Sequence, residues 1–505
     1  MAVSVIDLFS GPGGLSEGFS QHNDMKSFGP FVSVEMDPIA CDTLRLRKLF
    51  HYLKSKKDPL LAKYYELIKS EQKINWKGIS KDFLFYEDLI DSSVWEHELG
   101  TLEPKDTCKE IRKRLERLGY KKSDNLVVIG GPPCQAYSLA GRTRRKKMTE
   151  RGEYAPEKDE RNFLYEWYLN VLQDFKPEVF IMENVPGILS SKINNNLIFK
   201  TILQDLEGCG YQLFPLIDQK EKEVLDYKIK CNLFGVAQSR ERVIILGVRE
   251  DCAPNKIPYL KAKEALALED VIKDLPILRS GISKINRKTV KDEEMLWKKE
   301  ISKGWPPLKK EIRPELKKVK EKISSFQFKR NRGSRFIPDN NYGKTNLLPP
   351  WYVDSKLKGY LNHEARSHMN TDLRRYLFSS VFSKTMGRFP LLEDFPKKLL
   401  PEHKNKDAGI HKDRFRTLDP NKPSKTITSH IAKDGHAFIH YDSLQCRSLT
   451  VREAARIQSF PDNYFFCGNR TQQYHQVGNA VPPYLALQIA EVVKKILKKT
   501  NKGDG

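Results

Sequence analysis

One cysteine of the sequence is placed as a reactive thiol. Cys134 lies in LVVIGGPPCQAYS, where an apolar run breaks into two glycines and two prolines. The apolar run predicts a buried strand, whose carboxyl end lies at the sheet edge where open α/β proteins bind ligands. Pro132 and Pro133 restrict φ at successive residues, so we expect Cys134 on a stiff segment above that edge rather than in the core. A thiolate placed in this way can act as a nucleophile.

Charged side chains are expected at the same edge. The stretch EVFIMENVPGIL predicts a strand that ends near Glu183, and QSRERV brings Arg240 and Arg242 to the start of the strand RVIILGV. Surface arginines usually have no specific role, but an arginine beside a carboxylate can hold it in a fixed geometry. We therefore interpret Glu183 and the two arginines as candidates for holding a reacting base beside Cys134.

A glycine-rich turn follows the first predicted strand and opens a helix in VIDLFSGPGGLSEGF. Its candidate ligand-binding glycines are Gly11, Gly13 and Gly14. Glu35 ends the next strand about 20 residues later, where an acid can accept hydrogen bonds from both hydroxyls of an adenosine ribose. Ser16 replaces the third glycine of the dinucleotide fingerprint, so a nucleoside without a pyrophosphate fits better than NAD. Phe9 is either a ring that packs along this ligand or ordinary core.

The elements that position these residues alternate between strands and helices over residues 1–250, as in a mostly parallel α/β sheet. Residues 45–80 are predicted to be helical and rich in charge, without an assigned role. Residues 251–444 are rich in lysine and turns and predict a second domain. Residues 445–505 return to regular structure, with Thr450 and Glu453 in capping-box spacing. The last helix carries an apolar face that needs the first domain's sheet; its residues are Leu485, Ile489, Val492, Val493 and Ile496.

Composition favours a polyanionic partner. The 505 residues carry a formal net charge of +23, a positive field that favours nucleic acid over a merely solvated basic surface. The eight cysteines form no C-x-x-C pair, which favours a reducing cytosol. The N-terminus lacks a signal peptide's basic region and no apolar run is long enough to cross a membrane, so we expect no membrane partner. No metal is expected either: His430, His436 and His440 have no cysteine at ligand spacing.

Six stretches of the chain, in order, resemble the motif series of the DNA (cytosine-5) methyltransferases. They are DLFSGPGGLSEGF, GGPPCQAYS, ENVPGIL, QSRERV, RSLTVREAARIQSFP and QVGNAVPP. The resemblance implies an α/β, Rossmann-like domain that uses S-adenosylmethionine, with a smaller target-recognition domain inserted into it. The catalytic domain would comprise residues 1–250 and 445–505, and the recognition domain residues 251–444.

The resemblance also implies a role for each catalytic residue. Cys134 would attack C6 of a cytosine, Glu183 would hold or protonate N3, and Arg242, assisted by Arg240, would anchor the base. C5 would then take the methyl group from S-adenosylmethionine, and loss of its proton and of the cysteine would restore the ring. A stacked base cannot be reached in this way, so the cytosine must be flipped out of the helix.

Further residues are expected to hold the cofactor and the DNA. By resemblance the cofactor residues are Phe9, Gly11, Gly13, Gly14, Glu35, Asn479 and, as the acid that holds the adenine amino group, Asp88. The long basic segment after Cys134 is predicted to be a lid over DNA. Its candidate phosphate contacts are Arg142, Arg144, Arg145, Lys146 and Lys147. The small side chains of Ser424, Thr426 and Thr428 would let the backbone pass close to a groove.

Other functions stay open at this point. One branch of the family methylates tRNA with the same motifs, although the large basic insert favours double-stranded DNA. A DNA-binding module without catalysis would not need Cys134, Glu183 and Arg242, and an NAD oxidoreductase would rest on the glycine turn alone. We expect a monomer in the cytoplasm, associated with the nucleoid, with a restriction endonuclease as its functional partner in a restriction-modification system.

Overall fold

The computed structural model describes residues 2–133, 164–193, 196–218, 224–344, 348–401 and 412–500. Its strands are β1 (Val3–Leu8), β2 (Phe28–Glu35), β3 (Val94–Glu96), β4 (Leu126–Gly130), β5 (Val179–Asn184), β6 (Lys192–Ile193), β7 (Asn196–Leu197), β8 (Tyr211–Phe214), β9 (Lys228–Lys230), β10 (Glu241–Arg249), β11 (Gly281–Ile285), β12 (Lys288–Thr289), β13 (Gly333–Pro338), β14 (Gly359–Glu364) and β15 (Ser367–Met369).

The α-helices are α1 (Gly14–Gln21), α2 (Pro38–Lys56), α3 (Leu60–Lys69), α4 (Trp76–Ile79), α5 (Leu84–Ser93), α6 (Pro104–Arg117), α7 (Leu164–Phe175), α8 (Ile198–Gly208), α9 (Leu268–Ile272), α10 (Glu294–Ser302), α11 (Ile312–Ser325), α12 (Asn370–Met386), α13 (Val451–Ile457), α14 (Arg470–Asn479) and α15 (Pro483–Thr500). Short 3-10 helices cover Ser80–Phe83, Pro186–Ser190, Val224–Tyr227, Cys231–Leu233, Glu250–Cys252, Leu392–Asp394, Lys397–Leu399 and Ser429–Ala432.

The largest sheet has the order β3-β2-β1-β4-β5-β10-β8, and β9 pairs with β10. Strands β1 to β5 run parallel, whereas β10 runs antiparallel to β5, β8 and β9. The five strands predicted from the apolar runs are β1, β2, β4, β5 and β10, so those predictions are confirmed. Because helices cover both faces of this sheet, its central strands are buried on both sides, and each of the five is a nearly continuous apolar run.

Helices cover both faces of this sheet. On one face α1 and α15 pack over Val5, Val127 and Ile244. On the other face α6, α7 and α8 pack over Ile6 and Val128. The residues predicted to form the apolar face of the last helix, Leu485, Ile489, Val492, Val493 and Ile496, are all buried. The α/β, Rossmann-like class is therefore confirmed.

The predicted capping box is also present. The Thr450 hydroxyl accepts a hydrogen bond from the Glu453 N–H at 3.2 Å, and the Glu453 carboxylate accepts one from the Thr450 N–H at 2.7 Å. Both side chains are buried, and Glu453 also pairs with Arg447 at 2.6 Å. The Arg447 guanidinium therefore helps to hold the pKa of Glu453 well below its usual range, against the cost of burial.

The helical insert at residues 45–80 joins the two parts of the chain. One apolar cluster combines α2 to α5 with residues 268–275, 342–361 and 418–480. Within it the Tyr65 hydroxyl donates to the Asp354 carboxylate, and Asn463 Nδ2 donates to the same carboxylate at 2.6 Å. The insert thus packs between the sheet domain and the second region, a role that its sequence did not reveal.

Candidate active site

The candidate site lies where β1, β2, β4 and β5 end and β10 begins, which we call the catalytic edge. Glu183 on β5 and Arg242 on β10 form an ion pair there, with Glu183 Oε1 at 2.5 Å from Arg242 Nε. Each side chain is 13% exposed, so the pair is shielded from water yet open to a ligand. Arg242 Nη1 also donates to the Glu241 carbonyl at 2.8 Å, which fixes the direction of the guanidinium group.

The segment that leads to the predicted nucleophile runs against Glu183. A Cβ placed on Gly131 would lie 2.7 Å from Glu183 Oε2, so any larger residue here would require the Glu183 carboxylate or the backbone to shift. Asn184 Nδ2 donates to the Pro132 carbonyl at 3.3 Å and ties the same segment to the end of β5. Cys134 itself lies outside the described residues, as do the predicted phosphate contacts Arg142, Arg144, Arg145, Lys146 and Lys147.

Arg240 directly precedes β10, but its side chain does not reach a position from which it could touch a base. This is contrary to the prediction that it assists Arg242. Its side chain is fully buried, and its guanidinium donates to the carbonyls of Ile427 at 2.8 Å and of Gly478 at 3.2 Å. Burial and the nearby Arg242 charge lower the pKa of Arg240 to about 9. Arg240 therefore holds two distant backbone segments together behind the site. Its own motif, QSRERV, gives no indication that it would bind the carbonyls of Ile427 and Gly478.

The glycine-rich turn at residues 9–14, predicted to bind the cofactor, leaves open space beside its backbone. Phe9, Gly11 and Gly13 adopt positive φ values of 55°, 54° and 88°, which glycine accepts readily and phenylalanine rarely does. The Gly11 N–H donates to Glu35 Oε2 at 2.8 Å, so the end of β2 lies directly beside the turn. A Cβ on Gly11 would meet nothing within 4 Å, and the space above this backbone is open.

Glu35 combines burial with free hydrogen-bonding capacity. Its Oε1 accepts from the Asp37 N–H at 2.9 Å, and burial raises the pKa of its carboxyl group above the usual value. Each carboxylate oxygen can accept a second hydrogen bond, so a pair of ligand hydroxyls can still be bound. Phe9 is half-buried against the core on one side of β1, which leaves its role as a ligand contact a prediction.

At the start of α1, Gly14 packs against the residues that directly follow Asn479. A Cβ on Gly14 would lie 2.2 Å from the Val481 carbonyl, so this glycine is needed for packing against the segment that follows α14. Asn479 ends α14 two residues earlier and is exposed. The structure thus brings the QVGNAV motif next to the glycine turn, although more than 450 residues of sequence separate them. This proximity is necessary if both motifs are to contact one ligand.

The prediction that Asp88 follows the third strand is wrong. Asp88 is exposed on α5, which precedes β3, because the helical insert extends the chain between β2 and β3. The acid at the carboxyl end of β3 is Glu96, which pairs in register with Glu35. Sequence reasoning missed it because the three-residue strand β3 has too short an apolar run to be recognised.

The segment 424–428 packs on the catalytic domain beside the arginines. Ser424 is buried and its backbone is hydrogen-bonded to Ala237 and Ser239 at 2.9 and 2.7 Å, so its side chain is not free to touch DNA. The passage of its backbone close to a groove stays a prediction. The Thr426 hydroxyl donates to the Ser239 carbonyl at 3.1 Å. Thr426 and Thr428 remain partly exposed, and their contact with DNA stays a prediction.

Two of the three histidines considered for metal binding have other partners. His436 Nδ1 lies 2.7 Å from the Tyr376 hydroxyl, and His440 Nδ1 accepts from the Asp442 N–H at 3.0 Å. Within the described ranges, no group of three or more His, Cys, Asp or Glu side chains could hold a metal ion. In the same part of the chain, no helix is both long and apolar enough to cross a bilayer.

The strand order, the antiparallel β10, the glycine turn and the acid that ends β2 define an α/β protein of the Rossmann-like methyltransferase class. A crystal structure of a prophage-encoded E. coli protein, assigned as a DNA modification methyltransferase, has a similar fold. Its TM-score is 0.52 at 19% sequence identity, over 98% of this chain and all of that one.

The chain belongs to the C-5 cytosine-specific DNA methylase family, whose model matches residues 93–495. It is 34% identical to the type II methyltransferase M.Bpa9945I of Bacillus paralicheniformis, over 98% of this chain and 99% of that protein. It is 26% identical to the DNA (cytosine-5-)-methyltransferase M.ApeKI of Aeropyrum pernix, over 80% and 87% of the two chains. The chain is therefore an enzyme of a DNA-methylating family of the restriction-modification type.

Proposed function

We propose that this enzyme transfers a methyl group from S-adenosylmethionine to C5 of a cytosine flipped out of a specific DNA sequence. Cys134 forms a transient covalent bond to C6 of that cytosine. The observation that carries the proposal is the Glu183–Arg242 ion pair at 2.5 Å, against which the backbone of Gly131 packs three residues before Cys134. A carboxyl group, a guanidinium group and the segment bearing a thiol thereby meet at one edge.

The chemistry assigns each of these groups a step. C5 of cytosine is a weak nucleophile, and addition of the Cys134 thiolate to C6 turns C5 into the carbon of an enamine. Glu183 holds the N3 edge of the ring and supplies a proton as negative charge develops there, and Arg242 keeps the carboxyl group and the base in place. After C5 is methylated, loss of its proton to a base and departure of the Cys134 thiolate restore the C5–C6 double bond.

The residues at the glycine turn fit S-adenosylmethionine, which when bound supplies an electrophilic methyl group on a sulfonium centre. The open space above Gly11 admits a ligand close to the backbone, and the Glu35 carboxylate can accept hydrogen bonds from the two ribose hydroxyls. Glu96 ends the neighbouring strand and is our candidate acid for the adenine amino group. Asn479 and the ring of Phe9 complete the proposed contacts.

The proposed DNA contacts rest on the charge of the chain. The formal net charge of +23 attracts a polyanion, and binding through phosphate contacts becomes weaker as salt rises. We propose that Arg142, Arg144, Arg145, Lys146 and Lys147 bind phosphates and that Thr426 and Thr428 lie along the DNA.

The wider context is also a proposal. Residues 251–444 serve target recognition, and residues 1–250 with 445–505 carry out catalysis. The enzyme works as a monomer in the cytoplasm at the nucleoid, and a restriction endonuclease that cuts the same unmethylated sequence is its functional partner.

Bisulfite sequencing of DNA from cells that express the protein tests the reaction and finds its target sequence. We expect protection of cytosines in one short motif, lost in Cys134→Ala and retained in Cys209→Ala, whose thiol is away from the site. Transfer of a labelled methyl group to duplex DNA and to tRNA in parallel separates the two substrates. Label in tRNA alone, or protected cytosines in the Cys134→Ala strain, would contradict the proposal.

A further inference from the structure

Residues from the far end of the chain hold the glycine turn from behind. In the segment 460–466, between α13 and α14, the hydroxyl of Tyr464 donates a hydrogen bond to the carbonyl of Pro12 in the turn. Tyr464 is fully buried, so this carbonyl has no access to water on that side. A Cβ on Gly13 would lie 3.3 Å from the Tyr464 oxygen, which shows how closely the ring approaches the turn.

Arg47 fixes the same ring. Its guanidinium lies 4.8 Å above the centre of the Tyr464 ring and binds Glu17 with two hydrogen bonds of 2.8 and 2.6 Å. Glu17 stands in the first turn of α1, directly after the glycines, and His51 Nε2 lies 2.8 Å from its second oxygen. These buried groups connect the glycine turn, α1, α2 and the segment 460–466.

The turn needs such support because Phe9, at its start, has an unfavourable backbone conformation. Phe9, Gly11 and Gly13 all have positive φ, and a non-glycine residue in this region persists only when its surroundings hold it there. The space above Gly11 is open, so the restraint has to come from below. Among the described residues, Tyr464 is the one side chain from a distant part of the sequence that donates a hydrogen bond to a carbonyl of the turn.

We propose that Tyr464 is a positioning residue for S-adenosylmethionine binding, held in place by Arg47. The inference rests on the proposed function, because it assigns the glycine turn to that cofactor. Loss of the hydroxyl frees the Pro12 carbonyl, lets the turn relax, and weakens cofactor binding without removing any group that touches the reacting atoms. The alternative is that Tyr464 serves only the stability of the fold.

A matched pair of variants separates these two roles. Tyr474 is also fully buried, its hydroxyl donates to the Leu449 carbonyl at 2.5 Å, and Arg366 lies 5.0 Å over its ring. Tyr464→Phe and Tyr474→Phe therefore each remove one buried hydrogen bond from a tyrosine hydroxyl to a backbone carbonyl. In both cases an arginine lies over the tyrosine ring. Only the first bond reaches the glycine turn.

The experiment measures the Kd of S-adenosylhomocysteine by calorimetry, together with kcat, the KM for S-adenosylmethionine, duplex affinity and Tm. For Tyr464→Phe we expect the Kd and the KM to rise roughly three- to tenfold, because the relaxed turn must be reordered when the ligand binds; this cost is at most about that of one buried hydrogen bond. Its kcat and duplex affinity stay within twofold of the wild type, and its Tm falls as far as that of Tyr474→Phe. Tyr474→Phe keeps the wild-type Kd.

Two outcomes would overturn the inference. Equal cofactor binding by Tyr464→Phe and the wild type, or equal weakening in both variants, would show that Tyr464 acts on stability alone. Failure of the wild type itself to bind S-adenosylhomocysteine would instead refute the proposed function, so the two failures can be told apart.

Discussion

Glu183 and Arg242 lie on neighbouring antiparallel strands, and their side chains meet at the catalytic edge with Oε1 2.5 Å from Nε. Two residues before Arg242, Arg240 is buried and bonded to two backbone carbonyls. The two arginines of one short motif therefore have different surroundings. We propose that Arg242 takes part in the reaction, whereas Arg240 belongs to the framework that holds the site together.

Substitution of each arginine should separate these roles. Arg242→Ala removes charge stabilisation at the reacting base, and we expect kcat to fall by roughly 10²–10³. Arg240→Met leaves two buried carbonyls unpaired and should lower the free energy of unfolding by about 1–3 kcal/mol. Single-turnover rates and urea unfolding measure the two effects, and a stable, inactive Arg240→Met enzyme would contradict the assignment.

The close passage of the backbone beside Glu183 predicts a sharp effect of one methyl group. In Gly131→Ala the new Cβ would lie 2.7 Å from Glu183 Oε2, so the carboxyl group or the segment before Cys134 must move. We expect kcat to fall by roughly 10²-fold, in line with a displacement of about 1 Å at a reacting group. Binding of S-adenosylhomocysteine should be unchanged.

Gly208→Ala is the control for this substitution. Gly208 ends α8, and a Cβ added there would have no atom within 4 Å. Alanine at this position should therefore leave kcat unchanged and stabilise the helix by about 0.5–1 kcal/mol. Wild-type kcat in Gly131→Ala would show that Glu183 does not take part in the reaction at its observed position.

The acid that binds adenine is predicted to be Glu96 and not Asp88. Glu96 ends β3 beside Glu35, whereas Asp88 is exposed on a helix before that strand. Glu96→Ala should raise the KM for S-adenosylmethionine roughly tenfold, the loss of a hydrogen bond to a charged group, and Asp88→Ala should leave it unchanged. Steady-state kinetics at saturating DNA decide between the two, and an effect of Asp88→Ala alone would reverse the assignment.

Stability should fall when the pH drops from 7.5 to 5. His51, His363 and His440 are buried and the loss of hydration lowers the pKa of each to about 4. The unfolded chain takes up protons below about pH 6.5 while the folded chain does not, so each histidine costs up to about 2 kcal/mol at pH 5. Asp7 acts in the opposite direction: burial raises its pKa to about 6, so protonation there offsets part of the loss.

Urea unfolding at the two pH values measures this change. His363→Gln should reduce the difference between pH 7.5 and pH 5, and His475→Gln, at an exposed position, should leave it as in the wild type. Equal stability at both pH values would show that the buried histidines take up protons in the folded state.

The strands and the edge residues could be predicted because their signals are local. The runs before Glu35 and Glu183 are apolar over the length of a strand, and the spacing of Thr450 and Glu453 identifies a helix start. Burial of Arg240 and Ser424 could not be predicted, because it depends on packing between segments almost 200 residues apart. Asp88 was misplaced for a related reason: the insert separates β2 from a third strand too short to show an apolar pattern.

Capture of the covalent intermediate tests the central claim most directly. The enzyme is incubated with S-adenosylmethionine and a duplex that carries 5-fluorocytosine at the target position, whose C5 fluorine cannot leave as a proton does. Peptide mass spectrometry should then find the methylated fluorocytosine attached to Cys134, with no adduct in Cys134→Ala. Attachment to another residue, or complete turnover of normal duplex by Cys134→Ala, would contradict attack by this thiol.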